Sequence, residues 1–104
     1  MKITELFERG EFVVSAEVGP PKGFHVEHLL EEAKTYLKGV HAVNVTDNQS
    51  SVMRLGSLAM CKALKDEGLN PIFQLACRDR NRIALESDLL SAAMFGIEIG
   101  RAHV

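Results

Sequence analysis

The sequence is poor in the residues that mark specialised small proteins. In 104 residues it has no tryptophan, one tyrosine, three prolines and two cysteines. Cys61 and Cys77 stand apart without a CxxC spacing, so we expect two reduced, packed thiols. No apolar run approaches the roughly 20 residues that a membrane-spanning helix needs. The first eleven residues carry three glutamates and no apolar core of a signal peptide, which favours a cytoplasmic protein.

The sequence also lacks a dominant charge. The net charge is −2, with both signs mixed along the chain, so we expect neither a nucleic-acid partner nor a membrane partner. Neither a Walker motif nor a GxGxxG motif is present. His25 and His28 have a spacing that suits a metal, but no third ligand is evident, so we expect no metal site.

What the sequence does have is a pattern that repeats about every 29 residues. Apolar residues make up 46% and charged residues 25%, as in one globular domain. Gly10, Gly39, Gly68 and Gly96 recur at intervals of about 29 residues, and the first three separate a helical pattern from a strand pattern.

The period alternates strands with helices. Helical spacing of apolar residues predicts a short leading helix in ITELFER and then helices over 25–39, 51–68 and 82–96. Ser50 or Ser51 is placed to cap the third of these four helices, and Asp79 or Asn81 the fourth. Strands are predicted over 11–18, 41–47 and 71–78. Such short βα units predict a parallel sheet and favour a (β/α) barrel over an open sheet with long loops.

The predicted strands have two unlike faces. One face is apolar, carrying Phe12, Val14, Ala16, Val43, Val45, Phe73, Leu75 and Cys77. The other is polar toward the carboxyl ends of the strands, with Ser15, Glu17, Asn44, Thr46 and Gln74. In α/β barrels those ends hold ligands and catalytic groups. The alternative to a ligand site is that these polar side chains hydrogen-bond to one another in a polar layer of the core.

Glu17 is the sharpest catalytic candidate. It ends a strand just before Pro20 and Pro21, which stiffen the exit loop. A carboxyl group held there and partly withdrawn from water could donate a proton near neutral pH. The alternative is a solvated glutamate at a strand end.

The two other exit loops are polar. TDNQSS leads into a helix whose N-terminus could bind an anion, although most such loops bind nothing. CRDRNR could bind phosphate or carboxylate through Arg78, Arg80 and Arg82. Internal salt bridges with Asp79 are the equal alternative.

Three motifs together resemble a known family. VVSAEVGPPKG, VNVTDNQSSVMRLGSLA and PIFQLACRDRNRIALESDLLSAA are similar, in order and over residues 2–97, to the N-terminal part of bacterial methylenetetrahydrofolate reductases. The resemblance implies the first three βα units of a flavin-containing (β/α)8 TIM barrel. It implies that FAD, reduced by NADH or NADPH, passes a hydride to 5,10-methylenetetrahydrofolate, giving 5-methyltetrahydrofolate.

The resemblance also assigns residues. Glu17 matches the acid that opens the folate ring by protonating a nitrogen. Thr46, Asp47 and Gln74 match positions near the flavin, Asp47 standing where Tyr is frequent and Gln74 where His is found. The complete enzyme is expected to be a homo-oligomer. The alternatives are a small α/β binding or interaction module, or a different folate or pterin barrel.

The last seven residues fit neither the period nor the family. EIGRAHV is what one reading frame of a common sequencing adapter encodes, so we expect residues 98–104 to be a non-native tail. The native segment, 1–97, would then be part of a reductase domain and inactive alone, with marginal stability and no competent flavin site.

This expectation predicts the outcome of resequencing. A long read of the source DNA, made without that adapter, should continue past the codon for Ile97 into a fourth apolar strand with a Gly-Asp loop. A stop codon directly after Val104 in that read would refute the expectation.

Overall fold

The structure is a computed structural model that describes residues 3–37 and 39–103, with residues 99–103 described by their backbone alone. Its elements alternate in the predicted manner. The helices are α1 (Ile3–Glu8), α2 (Glu27–Tyr36), α3 (Ser57–Asp66) and α4 (Arg82–Phe95), with a single 3₁₀ turn at Gln49–Ser51. The strands are β1 (Ser15–Val18), β2 (Ala42–Val45), β3 (Pro71–Ala76) and β4 (Glu98–His103).

The strands form one parallel sheet in the order β1-β2-β3-β4. The helices α2, α3 and α4 all contribute to one apolar cluster on one face of this sheet. A doubly wound sheet would reverse its strand order and carry helices on both faces. Sequential order with the crossover helices on one face is compatible with consecutive units of a (β/α) barrel.

The core lies between that face and the helices. Val43, Val45, Phe73 and Leu75 are buried on the sheet side, as the alternation predicted. The helices bury Ala33, Met60, Cys61, Leu64 and Ala92 against them. Burial raises the pKa of the Cys61 thiol to about 12, so this cysteine behaves as a small apolar side chain.

Local signals in the sequence explain where two helices end or begin. Gly96 ends α4 with φ 73°, a left-handed conformation that glycine adopts without strain, and its N–H donates to the carbonyls of Ala92 and Ala93. Asn81 caps the start of α4, its side chain accepting a hydrogen bond of 2.8 Å from the N–H of Ala84. The predicted helix over 82–96 ends at this glycine, and of the two predicted caps, Asp79 and Asn81, the structure shows Asn81.

The first strand is shorter than predicted. It begins at Ser15 and not at residue 11, and Phe12 and Val14 are 87% and 44% exposed, so neither joins the apolar face. The N–H of Val14 donates to Nδ1 of His41 (2.9 Å), while the N–H of His41 donates to the carbonyl of Val14 (2.8 Å). The imidazole thus accepts a hydrogen bond from a backbone N–H that a longer β1 would have used to pair with a neighbouring strand.

The prediction that Ser50 or Ser51 caps the third helix was wrong. Asn48, Ser50 and Ser51 have φ of 43°, 61° and 59°, which a helix start cannot accommodate. The helix α3 begins at Ser57 after an irregular segment. The hydroxyl of Ser57 is fully buried and donates to the carbonyl of Gln74 (2.8 Å), which ties α3 to β3.

The count of three strands also needs correction, because residues 98–103 form a fourth. The register steps from Phe73 beside Ile99 to Gln74 beside Arg101, so Gly100 is the extra residue of a bulge. The sequence pattern missed this strand because it treated Gly100 and Arg101 as breakers. The origin of residues 98–104 stays a prediction, and Val104 lies outside the described residues.

None of the described helices is long and apolar enough to cross a membrane.

The packing predicts a contrast between two leucines. Leu64 is fully buried in the core, whereas Leu90 of α4 is 74% exposed. Leu64→Ala should lower the free energy of unfolding by about 2–5 kcal/mol, since it removes buried methyl groups and leaves a cavity. Leu90→Ala should change it by less than about 0.5 kcal/mol. Urea unfolding followed by circular dichroism measures both, and equal losses would contradict the assigned core.

Candidate active site

The polar face of the sheet borders a pocket of about 540 Å³. Three strands contribute side chains to it, among them Glu17, Asn44 and Gln74. Ile3 and Phe7 of α1 supply apolar walls, together with Val13 and Ile72. The pocket therefore combines groups that hydrogen-bond with apolar surface, as sites for small organic ligands usually do.

Glu17 stands on β1 directly beside Asn44 of β2 in the sheet register. Its side chain has no hydrogen bond or ion pair within the described residues, and it also borders a second pocket of about 260 Å³ next to α2. The predicted position is confirmed, but the expected withdrawal from water is not found, because Glu17 is exposed. Within the described residues, the walls from α1 leave the carboxyl group open to water.

Thr46 follows β2 and is 7% exposed. Its N–H donates to the carbonyl of Val18 (3.2 Å), which continues the pairing of β1 with β2. Its hydroxyl oxygen Oγ1 is buried and has no hydrogen-bond partner within the described residues. A side chain at Gly19 would place its Cβ 3.8 Å from this oxygen. A buried hydroxyl without a partner is costly, so this position suits a ligand that supplies one.

Asp47 is the most constrained group at the strand ends. Its side chain is 2% exposed, and its carboxylate accepts a hydrogen bond of 2.6 Å from the N–H of Ala76. Both terminal nitrogens of Arg80 donate to the same carboxylate, as does the amide of Asn48. The carboxylate therefore joins the end of β2 to the end of β3 and is not free to contact a cofactor.

Arg80 completes this connection. Besides Asp47, it donates to the carbonyl of Ala76 (3.0 Å) and to Asp88 of α4 (3.1 Å). The hydrogen bond with Asp47 is the main cause that raises the pKa of Arg80. Its side chain is 16% exposed, so most of the guanidinium is removed from water.

The arginines of the CRDRNR loop therefore form internal salt bridges, which was one of the two predictions for this loop. Arg78 pairs with Asp79 at 3.0 Å, and Arg82 lies 3.8 Å from Glu86. The hydrogen bond between Arg78 and Asp79 raises the pKa of the arginine and lowers that of the aspartate. Both partners are about half exposed, so this pair contributes little to stability. None of these three arginines presents an unpaired guanidinium to an anion.

Gln74 lies in the middle of β3 and its side chain enters the larger pocket. Its backbone carbonyl is held by Ser57, while its side-chain amide has no partner within the described residues. An amide can donate and accept at once, so this group suits the polar edge of a heteroaromatic ring.

The two histidines considered for a metal do not approach this pocket. Nε2 of His28 lies 2.9 Å from Oε1 of Glu32, one turn along α2. The ring of His25 lies 4.3 Å from that of Phe24. Within the described residues, no three metal-ligating side chains cluster.

Sequence reasoning missed two groups. The walls from α1 were not anticipated, although Ile3 and Phe7 are spaced for one helical face. The pairing of Asp47 with Arg80 was missed because each residue was considered with its own loop. The parallel sheet brings the ends of neighbouring strands together, and that rule could have suggested the pair.

This pair predicts an asymmetry between two arginines of one loop. Arg80→Ala should lower the free energy of unfolding by about 3 kcal/mol, because it leaves a buried carboxylate without its cation. Arg78→Ala, which breaks an exposed pair, should cost less than about 1 kcal/mol. Urea unfolding of both variants measures the difference, and similar losses would show that Asp47 does not need Arg80.

Comparison with known proteins identifies the family of the chain but not the roles of single residues. No curated protein matches the chain. A family model described as methylenetetrahydrofolate reductase matches residues 2–99, which contain β1, β2 and β3 with all of their exit loops. Since this match covers nearly the whole sequence, the chain belongs to the methylenetetrahydrofolate reductase family.

Proposed function

We propose that this chain is the N-terminal part of a (β/α)8 reductase that converts 5,10-methylenetetrahydrofolate to 5-methyltetrahydrofolate with electrons from NADH or NADPH. Family membership implies an oxidoreductase of folate metabolism. The observation that carries the finer proposal is the convergence of Glu17 and Gln74 on one pocket. Thr46 does not line that pocket but directly follows β2.

The residues present fit a bound flavin. Thr46 has a buried hydroxyl that lacks a partner, and Gln74 has an uncommitted amide, so both could hydrogen-bond to a heteroaromatic ring. Gly19 leaves open the space beside Thr46 that a larger side chain would narrow. FAD bound here would accept a hydride from the nicotinamide and deliver it to the one-carbon unit of the folate.

Glu17 is proposed as the general acid. Its position on the polar face lets it reach a folate nitrogen in the same pocket, and protonation of that nitrogen opens the five-membered ring. The carboxyl is exposed in this chain, so the role requires that bound ligands or further parts of the barrel remove it from water.

Asp47 is proposed to act indirectly. Its carboxylate is fully engaged by Ala76 and Arg80, so it cannot itself bind the flavin. By joining the ends of β2 and β3, it fixes Thr46 with respect to Gln74. The two residues that contact the ring then keep a constant separation.

The rest of the barrel is proposed to come from a longer protein. The sheet described here is open at β1 and β4, and α4 exposes Ile83, Leu90 and Met94. Further βα units would cover these surfaces and supply most contacts to the cofactor. We therefore propose that the chain alone is inactive, and that the complete enzyme is a homo-oligomer.

The proposal predicts a selective effect of Glu17→Gln in the complete reductase. The rate at which 5,10-methylenetetrahydrofolate reoxidises the reduced enzyme should fall by about 10²–10⁴, because the ring-opening proton is lost. Reduction of the enzyme by NADH or NADPH should be unchanged, since no proton from Glu17 enters that step. Stopped-flow absorbance of the flavin measures both rates.

Glu31→Gln is the matched control, since Glu31 is an exposed glutamate of α2. It should leave both rates at the wild-type value. A Glu17→Gln enzyme that still reduces the folate at full rate would refute the assignment. Absence of bound flavin from the complete protein would instead favour a different folate or pterin barrel.

A further inference from the structure

Arg54 differs from the other arginines near the strand ends. Arg78, Arg80 and Arg82 each pair with a carboxylate, whereas Arg54 has no carboxylate partner within the described residues. Its guanidinium donates instead to the backbone carbonyl of Pro20 at 3.2 Å, and its Nε is buried without a partner. Ion pairing therefore does not explain the position of this partly buried guanidinium, which donates to a backbone carbonyl.

This hydrogen bond is accepted by the loop after β1, in which two consecutive residues are prolines. Pro20 and Pro21 have no N–H groups, so over these two residues only the carbonyls can be tied to a neighbour. Arg54 takes the carbonyl of Pro20, and the N–H of Leu55 donates to that of Pro21 at 2.7 Å. Two consecutive residues of the loop after β2 therefore anchor the whole Pro-Pro segment.

Arg54 is itself held in a fixed position. Its N–H donates to Oδ1 of Asn48 at 2.9 Å, which closes the loop between β2 and α3. This loop contains Asn48, Ser50 and Ser51 in left-handed conformations, which strain the backbone of residues other than glycine. Backbone strain of this kind persists only when surrounding contacts fix it, and the contacts with the Pro-Pro segment are among them.

The anchored Pro-Pro segment begins three residues after the proposed acid. Glu17 lies in the last part of β1, and the carbonyl of Val18 is bonded to the N–H of Thr46. The backbone around Glu17 is thus fixed from two sides, by the strand ladder and by the contact of Arg54 with Pro20. Loss of the second contact frees the exit loop but leaves the ladder in place.

We propose that Arg54 is a positioning residue for Glu17 and acts through the carbonyl of Pro20. This inference rests on the proposed function, in which Glu17 protonates the folate. It adds that the loop after β2 sets the direction in which the carboxyl group enters the pocket. Arg54 does not touch the reacting atoms.

The first test is structural and uses the 104-residue chain. Hydrogen exchange at the N–H of Leu55 reports on the contact with Pro21. Arg54→Met keeps the length of the side chain but removes the donor, and should speed this exchange about tenfold. Arg54→Lys, which can still donate to a carbonyl, should restore slow exchange at least in part. Arg82→Met should leave it unchanged, and exchange in β3 should not respond to any of the three variants.

The second test uses the complete reductase and a double-mutant cycle. Arg54→Met should slow reoxidation by 5,10-methylenetetrahydrofolate about tenfold or more, through misplacement of the acid, and leave reduction by NADH or NADPH unchanged. In the background of Glu17→Gln it should have no further effect on reoxidation, because the group that it positions is gone.

The outcomes separate the two proposals. Unchanged exchange at Leu55 in Arg54→Met, equal slowing of both half-reactions, or full additivity with Glu17→Gln would each overturn the role of Arg54. A Glu17→Gln enzyme with undiminished reoxidation would overturn the role of Glu17 instead. In that case the exchange measurement still decides whether Arg54 anchors the loop.

Discussion

The buried pairing of Asp47 with Arg80 is the constraint on which the strand ends depend. Asp47 cannot be an isolated carboxylate at 2% exposure, because the desolvation of an unpaired charge is too costly. Arg80 and the N–H of Ala76 meet that requirement, and in doing so they fix the end of β2 against the end of β3. The arginine extends the connection to Asp88, so the middle of α4 is included.

A second connection runs from β2 toward β1. The loop after β2 supplies Arg54 and Leu55, which hold the Pro20 and Pro21 carbonyls. The segment after β2 is therefore hydrogen-bonded to the loop after β1 on one side and to the end of β3 on the other. The hydrogen bonds of the strand ladders do not extend into the loops that surround a site. The hydrogen bonds made by the loop after β2 therefore hold these loops in place around the pocket.

Much of this could be predicted from the sequence, because periodicity reports on burial. The alternation in β2 and β3 placed Val43, Val45, Phe73 and Leu75 correctly, and the polar residues of the same strands did line a pocket. The start of α3 and the length of β1 could not be predicted. They depend on left-handed residues in one loop and on the ring of His41, contacts that form between segments distant in sequence. The sequence left the partner of Arg80 open, although the parallel pairing of β2 with β3 could have suggested Asp47.

The placement of all three crossover helices on one face has a consequence for how such a protein changes over evolution. Along β3, Phe73 and Leu75 serve the core while Gln74 between them serves the pocket. Stability and chemistry are thus encoded at alternate positions of one strand. A substitution on the pocket side changes the shape and polarity of the pocket without opening a cavity in the core, so the pocket can vary while the fold is kept.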